Sequence, residues 1–142
     1  MNLYKLYKKR YPLNKGSMCI NTEYLYLIYS PLQKLHKIGV TNNPKNRLSN
    51  LSCASGVRLN YKVILELEPY RDEQAKGIEY FLHCFYKSKR EVGEWFNLCD
   101  NDINDIFMLL EEIGGGGIYY DTSEVCMPLI DFYQNYAEKL KL

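Results

Sequence analysis

The sequence predicts a small α/β domain of the mixed α+β kind. It should hold a three-stranded, mainly antiparallel sheet flanked by helices, with a helical C-terminal extension. Three observations predict it. Residues 22–30 (TEYLYLIYS) are rich in aromatic and β-branched side chains, and a second short apolar run at 35–40 follows closely enough to turn back as a hairpin. Apolar residues recur at helical spacing over 78–85 and again over 103–110. The order of signals is hairpin, helix, strand, helix, short strand, helix, which suits one layered domain over residues 22–113 of a 142-residue chain.

Residues 1–21 read as a basic N-terminal arm. Lys5, Lys8, Lys9, Arg10 and Lys15 stand among Tyr4, Tyr7 and Tyr11, with no acid between them. The three-and-four spacing fits a short helix stopped by Pro12 and Gly16; a flexible arm is the alternative. Cations interleaved with aromatics suit phosphates and stacked bases, and equally a solubilising segment.

In the first strand, period two separates Tyr24, Tyr26 and Ile28 from Leu25, Leu27 and Tyr29. In the second, Ile38 and Val40 share one face, Lys37 and Gly39 the other. Asn42 or Asn43 then suits a helix N-cap, Pro44 the first helical residue and Gly56 the stop, with Leu48 and Leu51 as the buried stripe. Residues 58–67 alternate and then run apolar, as a third strand. A longer helix is expected from about Tyr70 to Tyr86, with Ile78, Phe81, Leu82 and Phe85 inward. A turn and short strand over 94–98 lead to a helix capped by Asp100 and ending near Ile113.

Gly114–Gly117 reads as a linker into an acidic C-terminal element, 114–142, whose candidate helix is interrupted at Pro128. That element caps the domain's own core, covers the basic front, or forms a homodimer contact through Leu129, Ile130, Phe132, Tyr133 and Tyr136.

Charge is unevenly placed. Residues 1–90 carry sixteen Lys and Arg against six Asp and Glu, whereas residues 91–142 carry two against eleven. A basic front of this kind fits a polyanion such as nucleic acid; two solvated faces that neutralise each other are the plainer reading. No apolar run is long enough to span a membrane, and the basic N-terminus lacks the apolar stretch of a secretory signal. The five cysteines share no C-x-x-C spacing, so free thiols and a reducing intracellular compartment, cytoplasm or nucleus, are expected.

Tyr26 and Lys37 fall on paired strands on the face without Leu25, Leu27, Ile38 and Val40. Arg47 opens the next helix, and Glu79 and His83 lie four apart on the long one. Each residue alone has an ordinary structural reading. Together they supply a phenol, two cations and a carboxylate around one small sheet. That set suits phosphodiester hydrolysis, with a base for water, a guanidinium for transition-state charge and a carboxylate for a divalent ion.

The motifs YLYLI, LHKIGVT, NRLSNL, IEYFLHCFY and GEWF stand in that order between Tyr24 and Leu98. They resemble the signature of GIY-YIG nucleases, in the phage-type and meiotically up-regulated branch. The resemblance implies a metal-dependent endonuclease using one Mg²⁺ or Mn²⁺ ion and acting on DNA more than RNA; the Asn-, Lys- and Tyr-rich usage is compatible with an AT-rich coding genome, including that of a virus or mobile element. It makes Tyr26 the general base or its helper, Arg47 the transition-state cation and Glu79 the metal ligand. His83 would contact phosphate or assist proton transfer. Gly39 would allow close backbone approach, and Asn97 would help fix the site. Tyr24 stands where the name-giving glycine is found, and Lys37 where the wider family has tyrosine. Lys37 is then expected to lower the pKa of Tyr26 or to bind phosphate. Tyr24, Lys8, Lys9 and Arg10 complete the expected substrate contacts. A later Gly117-Ile118-Tyr119 repeats the first triplet, but no second motif follows it. The alternative to the enzyme is a catalytically weak module of the same fold that binds nucleic acid or protein.

Overall fold

A computed structural model of the protein describes residues 2–10, 21–56, 59–69 and 74–120. The described residues form an α+β fold with four helices and six strands, ordered β4-β5-β2-β1-β3-β6, every neighbouring pair antiparallel. The expected hairpin is its centre. β1 (Glu23–Ser30) runs against β2 (Leu35–Thr41), and β3 (Asn60–Leu67) flanks β1.

The sheet is wider than the three strands expected. β4 (Arg90–Val92) and β5 (Trp95–Phe96) make a hairpin that extends the β2 edge. β6 (Gly117–Tyr120) extends the β3 edge, where the GGGGIYY run reads as a linker. The glycines allow this. Gly115 has φ +52°, and a Cβ there would collide with the Glu66 carbonyl, while the Gly116 N–H bonds that same oxygen at 2.7 Å. The edge of β3 thus recruits a segment with no strand signal of its own.

α2 (Pro44–Ser55) follows its sequence signals. Asn43 is the N-cap, its side chain accepting from Asn46 N–H at 3.2 Å, Pro44 opens the helix, and Gly56 closes it at φ +68°. α3 (Ala75–Phe85) starts later than the expected Tyr70: its N-cap, Gln74, is extended at φ −112° and ψ 144°, so the helix does not run back through it, and residues 70–73 lie outside the described ones. α4 (Asp100–Ile113) starts one residue earlier than expected. Cys99 is its N-cap, and the Asp102 carboxylate, not Asp100, accepts the Cys99 N–H at 3.0 Å and pairs with Lys89.

α1 (Leu3–Arg10) shows that the described part of the basic arm is a docked helix. Leu3 and Tyr7, one turn apart, are buried in the main core, and Tyr7 meets Phe81 edge-on. That core lies between one sheet face, carrying Leu25, Leu27 and Ile38, and helices α1, α3 and α4. The other face carries Tyr26, Ile28, Tyr61 and Ile64 against the Leu48 and Leu51 side of α2. The period-two split of β1 is therefore observed. No helix among the described residues is long and apolar enough to cross a membrane. Cys53, Cys84 and Cys99 are free thiols. The rest of the arm, 11–20, and the C-terminal residues from 121 onward lie outside the described residues.

Candidate active site

The site grows from one cross-strand pair. Tyr26 on β1 faces Gly39 on β2, and the Tyr26 ring lies across that glycine. A Cβ on Gly39 would come within 3.0 Å of the Tyr26 hydroxyl, so only glycine leaves room. Tyr61 meets the same ring edge-on, its centroid 5.8 Å away, and Tyr61 donates to the Pro44 carbonyl at 2.6 Å. Sheet and α2 are thereby tied together where α2 begins. One turn into α2, Arg47 points its Nε–H at the Tyr26 hydroxyl, 3.1 Å away.

Two residues before Gly39, on the same face, Lys37 pairs with Glu94 at 2.7 Å. Its side chain is only 8% exposed, and its Nζ stands 5.8 Å from the centre of the Trp95 ring. Glu94 occupies the β4–β5 turn, next to the Trp95 that pairs with Lys37 across the ladder. It belongs to the GEWF motif, but it was not among the expected site residues. Its partner is 57 positions away, so the ion pair left no local trace.

β5 pairs with β2 only over His36 and Lys37. Beyond that point α3 takes over the edge. The His83 Nε2 lies 2.9 Å from the Ile38 carbonyl oxygen, which only accepts, so Nε2 carries a proton and donates it there. His83 also meets Phe96 edge-on at 5.0 Å. Glu79 stands one turn earlier on α3, half-buried, with no described hydrogen bond or ion pair.

The charges sense one another. Burial pushes the Glu79 carboxyl up and Glu94 adds to this, while His83, Lys37 and Lys76 oppose it. Burial also works against the Glu94 carboxylate, but the bond and charge of Lys37 outweigh it and hold its pKa below the ordinary value. The Tyr26 phenol is raised by burial; the bond and charge of Arg47 offset this only in part, and Glu94 and Glu79 raise it further. The cation that favours a Tyr26 phenolate is therefore Arg47. Lys37, expected to lower that pKa, is engaged by Glu94.

Tyr26, Lys37, Gly39, Arg47, Glu79 and His83 thus come together, with Glu94 added. Other expected contacts lie elsewhere. The Tyr24 hydroxyl donates to Glu66 at 3.1 Å, and burial beside that carboxylate lifts its pKa to about 12. Asn97 lines a different cleft, with His36 and Lys62. Lys8, Lys9 and Arg10 end α1, whose buried residues join the core on the face opposite Tyr26.

Among the described residues no three His, Cys, Asp or Glu side chains gather to hold a metal ion. A closed protein cage is thus missing from them. A half-buried carboxylate with no hydrogen bond or ion pair among the described residues nonetheless fits a hard divalent ion whose remaining positions are filled by water and phosphate oxygens, as Mg²⁺ is ordinarily bound.

Against known proteins, the T5orf172 domain model matches residues 23–111, from the first residue of β1 into the last turns of α4. No curated protein and no solved structure matches the chain.

Proposed function

The chain belongs to the T5orf172 domain family, and from that premise we propose that it is a metal-dependent endonuclease of GIY-YIG type that hydrolyses phosphodiester bonds in DNA. Family membership supports a nuclease-related or DNA-binding role, since this domain occurs in phage and endonuclease-associated proteins. The observation that carries the finer reading is the hydrogen bond from Arg47 to Tyr26, set over Gly39 and near Glu79, which pairs with none of the described residues.

Each residue then has a task. Arg47 uses Nε on Tyr26, which leaves its terminal amino groups to fork onto phosphate oxygens and stabilise the charge that builds there. Tyr26 is the general base for the attacking water. Because burial raises its pKa, the free protein holds it as a phenol at neutral pH, and its power as a base grows as pH rises. Glu79 holds the divalent ion, Mg²⁺ or Mn²⁺, which when bound would polarise the phosphate oxygens. Glu94 occupies Lys37, so that lysine does not pair with Glu79. His83 closes the β2 edge through the Ile38 carbonyl and leaves its Nδ1 unengaged by that bond.

A second reading is a nucleic-acid-binding module of the same fold that does not cut. It is favoured by the missing three-ligand metal cluster among the described residues and by the lysine at the second motif. Nicking of supercoiled plasmid separates the two. The purified protein should nick in Mg²⁺ or Mn²⁺, and Arg47→Ala or Glu79→Ala should abolish nicking. Salt-sensitive DNA binding without nicking in either metal would establish the second reading.

A further inference from the structure

The outward side of α3 carries a stripe that the hydrolytic site does not use. Lys76, Tyr80, Cys84 and Lys87 recur at intervals of four, four and three residues, so they share one side of α3 and of the 3₁₀ turn that continues it, Lys87–Lys89. All four are exposed, whereas Ile78, Phe81 and Leu82 face the core. The stripe holds two cations and no acid.

This stripe borders the candidate active site. Glu79 directly precedes Tyr80, and His83 directly precedes Cys84, so the flank of α3 that carries Glu79 and bonds the Ile38 carbonyl adjoins it. Lys76 stands close enough for the Glu79 carboxyl to sense its charge. For a strand leaving the site over α3, the stripe is the next surface.

Tyr80 gives the stripe its chemistry. At 60% exposed it is the most exposed aromatic among the described residues. Its hydroxyl bonds Cys84 one turn on, which engages one edge of the ring and leaves the ring face to solvent. Lys76 stands one turn before it, about 6 Å along the axis, and Lys87 lies beyond it. Neither lysine makes an ion pair with a described residue. An open ring between two cations matches a single nucleic-acid strand, with phosphates on the lysines and a base on the ring. In a duplex the bases stack on one another, so their faces are closed to Tyr80. An acidic peptide would engage the lysines and leave the ring unused.

We infer that the Lys76–Tyr80–Lys87 face of α3 binds an unpaired stretch of DNA next to the scissile phosphate, so that the substrate is DNA with a single-stranded segment beside the cut. The inference takes the position of that phosphate from the endonuclease reading.

The test is equilibrium binding of the full chain, without divalent ion, to a blunt DNA duplex and to the same duplex carrying a single-stranded tail. The tailed DNA should bind about tenfold tighter. Tyr80→Ala should remove that preference, and Tyr80→Trp should keep it. Lys76→Gln and Lys87→Gln should each lower the salt dependence of binding to the tailed DNA. Cutting of the tailed DNA in Mg²⁺ is measured alongside, where Tyr80→Ala should raise KM and leave kcat near the native value. Equal affinity for the two DNAs, or a Tyr80→Ala protein that keeps the preference, would overturn the inference; cutting that persists beside either result leaves the endonuclease standing. A Tyr80-dependent preference without cutting would uphold the strand-binding face and remove the endonuclease.

Discussion

Tyr26 and Gly39 face each other across the central ladder, and the tyrosine ring occupies the space a side chain at 39 would need. The phenol has no room to retreat, because its other flank packs on Tyr61 and Ile28 in the second core. Position 39 therefore sets where the Tyr26 hydroxyl meets Arg47.

Gly39→Ala should displace that hydroxyl. Overpacking at a tight contact costs about 1–3 kcal/mol. A displacement of about 1 Å at a reacting group costs on the order of a hundredfold in rate. Denaturant unfolding and nicking measured together should show both losses. A fully active, fully stable Gly39→Ala protein would mean that the Tyr26 ring does not hold this position in solution.

Lys37 and Glu94 should respond unequally to truncation. Glu94→Ala leaves a nearly buried ammonium without its carboxylate, whereas Lys37→Met removes the cation and keeps an apolar stem against Trp95. Glu94 is 40% exposed, so solvent moderates the loss, and about 1–2 kcal/mol is expected for Glu94→Ala. Lys37→Met should cost less, and the double variant should be more stable than Glu94→Ala alone. Additive losses in a double-mutant cycle would show that the pair is not formed.

How much of this was legible beforehand depends on how local each cause is. The split of β1 into a Tyr26 face and a Leu25 face follows from period two. The caps of α2 follow from Asn43, Pro44 and Gly56 within a few residues of the helix ends. Tyr26, Arg47 and Glu79 could be picked out by residue type and order. Glu94 was missed as a site residue because its meaning comes from Lys37 across the β2–β5 ladder. β6 was missed because Gly117–Tyr120 becomes a strand only by pairing with β3. Docking of α1 rests on Leu3 and Tyr7, two apolar positions hidden among the lysines that drew attention to the segment. Tyr24 and Asn97 went elsewhere for the same reason: Glu66 and the α4 cleft are tertiary neighbours.

Acid should weaken the fold through His36. Its pKa falls from the ordinary 6.5 to about 4 because burial disfavours the imidazolium. Between those values the unfolded chain binds a proton that the folded chain does not. The contribution is whole above the unfolded value and is lost as pH falls toward the folded one. The full loss is about 3 kcal/mol. Denaturation midpoints of the native chain and His36→Gln, compared between neutral and mildly acid pH, should diverge, with the variant keeping more of its stability. Parallel pH curves for the two proteins would rule out a buried, neutral His36.

The most direct test of the hydrolytic account is the single-turnover rate of DNA cleavage in Mg²⁺ as a function of pH, for the native chain and for Tyr26→Phe. A base with a raised pKa predicts a native rate that climbs about tenfold per pH unit from neutral into the alkaline range, and a variant slower by about 10²–10⁴ with that climb removed. A flat native profile, or a Tyr26→Phe protein that cuts as fast as the native one, would contradict it.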